Sequence, residues 1–188
     1  MSAFDYLTVL ISIVLGLAIA NVLARLAGVM TARERVDFYW PPIAWAVWLF
    51  FISAQHWWAQ WGLRHTQQWS FGVFWLQLLT PVDLYLLSAL VLPGQEEDGR
   101  LDLGEWYFRN RRWFFGVMFF LPALSIVEEM ARSGRVASPL NLAFLLLFDA
   151  VIVVAYLLRS RRAQEWITVQ AMLLTVLYVA LLFVPLPS

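Results

Sequence analysis

FDYLTVLISIVLGLAIANVLARLAGVM, residues 4–30, decides the architecture, and its only charged side chains are Asp5 and Arg25. An α-helix of about 20 apolar residues crosses the ~30 Å hydrocarbon core of a bilayer. The stretch therefore reads as a membrane span. It has no basic segment ahead of it, its apolar run is long, and Asp5 precedes that run, so it does not read as a cleaved signal peptide.

Five further stretches carry the same signature, at about 40–62, 70–92, 113–131, 138–158 and 165–184. The expectation is a single transmembrane domain over residues 1–188, an all-α integral membrane protein with six transmembrane helices. Tyr39, Trp40, Trp57, Trp58, Trp61, Trp69, Trp106, Trp113 and Trp166 fall near the span ends, where amphipathic rings sit at headgroup level. Pro41, Pro42 and Pro139 suit first helical turns, and Pro93 and Pro185 suit helix ends.

Composition agrees. Hydrophobic residues make up 62% of the 188 and charged ones 14%, against about 45–50% and about 25% in soluble domains. Mean hydropathy is +0.70. The formal net charge of zero argues against a nucleic-acid partner. There is no Cys, and all thirteen basic residues are Arg. Disulfides, thiolate chemistry, lysine Schiff bases and P-loop lysines are thereby excluded. No Ser-His-Asp order or HExxH run is present, so no enzyme, no catalytic residue, no cofactor and no metal site is assigned.

Arginine orients the chain. Nine of the thirteen fall after the first, third and fifth spans and Arg25 near the end of the first, while the other three, Arg64, Arg132 and Arg135, fall on the opposite side. The positive-inside rule then puts both termini outside, in the periplasm of a bacterial inner membrane. Residues 93–112 read as a cytoplasmic loop, with an acidic turn at 95–99 and an interfacial amphipathic segment. Its Arg109, Arg111 and Arg112 form a basic patch facing lipid, either fixing topology or touching anionic headgroups.

Thr8, Ser12, Gly16, Ala20, Ala24 and Gly28 recur every fourth residue on the first span. Small residues at this spacing let helices approach closely. The stripe is expected to pack inside the bundle, and a second copy of the chain, giving a homo-oligomer, is the alternative.

Ionisable groups at membrane depth usually face a cavity or a partner. Asp83, Asp149, Arg25, Asn21 and Gln170 form the candidate intramembrane site. Arg25 is expected to pair with Asp83 or Asp149; a carboxylate left without a cation there is a candidate proton carrier. The other reading is a polar cluster that only fixes helix register. On the outer side His56, Glu128 and Glu129 form a second candidate, with Gln55 and Gln60 nearby. It reads as a pH-sensitive pair, a metal corner or solvated headgroup residues. Trp45, Trp48, Ile52 and Gln55 share one helix face, which suits either bulky packing or a pocket for a quinone, haem or lipid.

Leu78-Leu79-Thr80 with Leu84-Tyr85, and Leu173-Leu174-Thr175 with Leu177-Tyr178, hint at a three-plus-three inverted repeat. The opening from Phe4 to Leu17, with Tyr39-Trp40-Pro41 and Arg111-Arg112-Trp113-Phe114-Phe115, resembles a group of small bacterial multi-span inner-membrane proteins without an assigned activity. That resemblance implies a location and transfers no site residue. Two functions fit: a small transporter or channel using the buried polar groups, or a non-catalytic membrane protein that is homo-oligomeric, lipid-binding or accessory to a larger complex.

Overall fold

The computed structural model describes residues 3–61, 70–94, 100–133 and 138–183. The acidic turn at 95–99, Arg64, His65, Trp69, Arg135 and Pro185 lie outside the described residues. The rest is almost wholly helical: α1 (Ala3–Thr31), α2 (Trp40–Gln60), α3 (Phe71–Leu90), α4 (Leu103–Met118), α5 (Phe120–Ser133), α6 (Pro139–Leu157) and α7 (Arg161–Phe183). Two short strands, β1 (Val36–Asp37) and β2 (Leu101–Asp102), pair in parallel.

Local chemistry sets the helix starts. Ser70 Oγ accepts from the Val73 amide at 3.2 Å, and Ser138 Oγ from the Asn141 amide at 3.3 Å, with Pro139 in the first turn of α6. Asp102 Oδ1 accepts from the Glu105 amide at 2.9 Å and so opens α4. Each cap satisfies an amide that the helix leaves unpaired. The Asp102 cap corrects the expected loop. Residues 103–112 are the first turns of the fourth helical rod, which breaks only at Phe119 before α5 continues it.

Side-chain bonds fix the directions. Asn21 Nδ2 donates to Ser88 Oγ at 2.9 Å, and Arg25 Nη1 donates to the Leu92 carbonyl. One turn along α1 thus matches one turn along α3, so these helices run parallel. Trp57 Nε1 at the far end of α2 reaches Ser12 Oγ near the start of α1, at 3.3 Å, so α2 is antiparallel to α1. Trp45 Nε1 and Trp48 Nε1 reach Thr168 Oγ1 and Thr175 Oγ1 at 3.1 and 2.8 Å, so α2 and α7 run parallel.

Five stretches are long and apolar enough to cross a membrane: Leu7–Thr31, Phe71–Leu90, Leu103–Ala131, Pro139–Leu157 and Arg161–Leu181. They suggest a multi-pass membrane protein. α2 has the length but carries Trp, Gln, His and two Pro among its residues, which lower its hydropathy. Large apolar side chains such as Ile13, Leu146 and Leu173 are more than half exposed on the outside, as expected where lipid rather than water is the solvent.

The face of α1 that enters the core is Leu7, Ile11, Leu15, Ala18 and Val22. The small-residue stripe does not. Gly16, Ala20 and Ala24 are exposed, Thr8, Ser12 and Gly28 are partly so, and a Cβ built on Gly16 would meet nothing within 4 Å. The expectation of packing inside the bundle is corrected here.

Candidate functional site

The main cavity, of about 320 Å³, lies between α2, α3, α5, α6 and α7. That is near the lower end of the roughly 300–1,000 Å³ usual for ligand sites. α2 contributes Trp48, Ile52, Gln55, His56, Ala59 and Gln60; α3 contributes Gln77 and Thr80; α5 contributes Ser125, Glu128 and Glu129 among others. Asn141, Phe144, Phe148, Thr175 and Tyr178 close it from α6 and α7.

Its polar groups are arranged in pairs. Thr80 Oγ1 donates to Glu128 Oε1 at 2.5 Å, and Tyr178 OH donates to Asn141 Oδ1 at 2.9 Å. Gln60 Nε2 lies 2.7 Å from His56 Nε2 and 3.4 Å from Gln77 Oε1. Where the amide is the donor, the ring accepts at Nε2 and its proton sits on Nδ1. Gln60 is only 6% exposed, and its Oε1 has no hydrogen-bond partner among the described residues. The wall is aromatic: Trp48 stacks on Phe148 with centroids 5.5 Å apart, and Phe144 and Tyr178 lie 5.6 Å apart.

The outer candidate residues His56, Glu128 and Glu129 therefore share one cavity. Among the described residues no three His, Asp or Glu gather closely enough to hold a metal ion. The α2 face read as a pocket wall divides. Trp48, Ile52 and Gln55 line the cavity, while Trp45 is fully buried against Phe114 and Phe115.

The intramembrane candidates do not assemble into one site. Arg25 Nε donates to Asn21 Oδ1 at 3.2 Å, and with the Leu92 carbonyl this makes an α1–α3 clamp. The expected pairing with Asp83 or Asp149 is not made; Arg25 takes a carbonyl and an amide instead. Asp83 is buried on α3 with Oδ2 unpartnered among the described residues, and Asp149 Oδ1 on α6 is likewise unpartnered. Neither lines the cavity. Gln170 is exposed on α7.

The opposite end of the bundle is filled. Tyr107 OH donates to Gln164 Oε1 at 2.8 Å, and Gln164 Nε2 donates to the Ala155 and Leu158 carbonyls at 2.7 and 2.6 Å. Gln164 thereby satisfies the carbonyls that α6 leaves open at its end. Tyr39 stands beside Tyr107, with centroids 5.6 Å apart, and Arg161 lies over its ring at 4.6 Å. Burial pushes the Tyr39 phenol up to about 12, aided by Glu165 and opposed by Arg161, so the ring stays neutral. A Cβ on Gly104 would lie 3.2 Å from Asp102 Oδ1 and 3.8 Å from Tyr39 Cβ, so a larger residue there would push the capping carboxylate aside by a few tenths of an ångström.

The basic patch is corrected at one position. Arg111 is 3% exposed and donates from Nη1 to the Ala155 carbonyl at 3.1 Å. Arg109 and Arg112 remain exposed, over the rings of Trp106 and Tyr156 at 5.1 and 5.9 Å.

Gln77, Thr80, Ser125, Asn141, Thr175 and Tyr178 were not read as site residues from the sequence. The available signal was position: these polar residues recur toward one end of four different helices. No protein-family model, curated protein or solved structure matches this chain, so the site is read from its own geometry.

Proposed function

We propose that this chain is a small bacterial inner-membrane transporter or channel with six crossings. It takes a solute into the cavity between α2, α3, α5, α6 and α7 from the outer side. One observation carries the reading: a cavity of about 320 Å³ lined by His56, Glu128, Glu129 and several amides, inside a bundle of apolar helices. Ionisable and amide groups are costly at such depth unless a solute or water uses them.

Six crossings are supported by direction. α1 and α3 run parallel, so α2 must bring the chain back between them, and it lies antiparallel along α1. With the Arg-rich connections inside, both termini and the cavity mouth face out. The aromatic plug of Tyr107, Phe114 and Phe115 then closes the inner end. The internal spacing also favours a tandem relation, α1–β1–α2 with α3–β2–α4, over the three-plus-three inverted one: β1 and β2 pair in parallel at their ends.

Flux in proteoliposomes tests this. Protons and small amines, followed with an entrapped pH dye, are expected to cross with the wild type and to be blocked by Ser125→Trp, which fills the cavity. Asp83→Asn and Asp149→Asn are expected to leave flux unchanged, because neither residue lines the cavity. Flux through Ser125→Trp, or loss in both Asp variants alone, overturns the reading.

A second reading rests on the exposed stripe of α1. Gly16, Ala20 and Ala24 lie on the outside of the bundle, which fits association with another copy in the membrane.

A further inference from the structure

We infer that the lipid-facing surface where α4 meets α6 binds one anionic phospholipid, its phosphate held by Arg112 and Arg159 and its acyl chains lying along the two helices. The inference rests on the bundle lying in a membrane and is independent of what the cavity carries.

Charge comes first. Arg111 is held at the Ala155 carbonyl, Arg112 lies over the Tyr156 ring of α6, and Arg111 is within electrostatic reach of both Arg112 and Arg159. Three guanidinium groups are thus gathered from α4 and from the turn between α6 and α7. Neither Arg112 nor Arg159 makes an ion pair among the described residues, and the groups acting on Arg111 include Tyr107 and Tyr156 but no carboxylate. Arg100, by contrast, is paired with Asp37 at 2.9 Å. Cations held together repel, and an anion between them offsets that cost. The guanidinium fork matches a phosphate. α7 starts at Arg161, just past Arg159, and brings the positive end of a helix to the same place.

The surroundings favour a lipid over a soluble anion. Arg112 and Arg159 are exposed on the outside of the bundle. Trp113, next to Arg112 and also exposed, suits headgroup level. Away from the Arg end, Gly116 lets α4 come close to α6: a Cβ there would lie 4.0 Å from Tyr156 Cε2. One turn further, Phe120 on α5 and Val153 on α6 are exposed. An apolar surface therefore continues from the arginines toward the middle of the span, where an acyl chain can cover it. A soluble phosphate would use the arginines and leave that surface bare. The site lies on the Arg-rich side, which faces the leaflet that the positive-inside rule makes cytoplasmic.

The test is a titration of the delipidated protein in detergent micelles with phosphatidylglycerol or phosphatidylcholine of the same acyl chains, with bound lipid counted by native mass spectrometry. One phosphatidylglycerol per chain is expected to be retained, and to bind about tenfold or more tighter than phosphatidylcholine. The double variant Arg112→Gln/Arg159→Gln is expected to lose that preference. Arg33→Gln/Arg35→Gln removes the same charge from exposed positions on the same side of the bundle, and is expected to keep it. Glycerol phosphate, which has no acyl chain, is expected not to displace the lipid. Elution and melting profiles like the wild type's confirm that each variant is folded.

Equal retention of the two lipids overturns the inference. Equal losses in the two double variants replace the site with diffuse attraction between arginines and headgroups, and overturn it as well. Displacement by glycerol phosphate makes the site one for a soluble phosphate and removes the lipid.

Discussion

Arg25 shows how one residue can look functional and act as a joint. A guanidinium within a membrane span needs acceptors, and it finds the Leu92 carbonyl at the end of α3 and the Asn21 side chain one turn back. Asn21 in turn holds Ser88, whose hydroxyl donates to the Tyr85 carbonyl at 2.6 Å. Every member of the chain is bonded, so the cluster locks α1 to α3 rather than waiting for a solute. Arg25→Met is expected to lower stability by about 1 kcal/mol, given that interhelical side-chain bonds in membranes average about 0.6 and reach about 1.7 kcal/mol. Denaturation in mixed micelles measures this. Unchanged stability, or a large loss of flux at unchanged stability, counts against the clamp. The contrast with Gln60 is instructive: equally polar and more deeply buried, it keeps one acceptor without a protein partner among the described residues.

At the scale of the element, α1 marks where reading the sequence stops. Leu7, Ile11 and Leu15 recur every fourth residue, and so do Thr8, Ser12 and Gly16. The two series differ by one position, about 100° around the helix. In water the apolar series would have to turn inward, but in lipid either face can be outside, so spacing alone cannot choose. The structure turns the Leu and Ile face inward. The same ambiguity hid α4. Clustered Arg109, Arg111 and Arg112 read as a loop because charge marks span ends, yet Arg111 is taken into the bundle by the Ala155 carbonyl, a partner 44 residues away that no local pattern announces. His56, Glu128 and Glu129, which line one cavity, stood out in the sequence because ionisable residues are rare in such a chain. Its amides were not, since Gln and Asn near a span end read equally well as solvated. A prediction belongs to α1 itself. Gly16→Leu leaves the bundle intact, because a Cβ there meets open space. If the stripe holds a second copy, the variant shifts the protein to a smaller species in detergent by light scattering. The same mass for both proteins would assign the stripe to lipid alone.

For the whole molecule, direction is the property that ties fold to function, because the cavity serves the outside only if the chain crosses six times. The parallel bonds of α1 with α3, the parallel pairing of β1 with β2, and the return of α2 along α1 put the ends holding β1, β2 and the α6–α7 turn together on one side. Ser70, Ser138 and the cavity residues Glu128 and Glu129 belong to the other. Ten of thirteen arginines follow the first side, which the positive-inside rule assigns to the cytoplasm. The absence of cysteine makes this directly testable, since every introduced thiol is the only one in the chain. Phe38 and Gly94 are exposed on the Arg-rich side and Phe71 on the other. In intact cells a membrane-impermeant maleimide is expected to label Phe71→Cys and to spare Phe38→Cys and Gly94→Cys, which react only after lysis. Five crossings with α2 lying on the surface would put Phe38 and Phe71 on the same side and make those two variants react alike. Labelling of Phe38→Cys and Gly94→Cys with protection of Phe71→Cys would keep six crossings but invert them, and the cavity would then open to the cytoplasm.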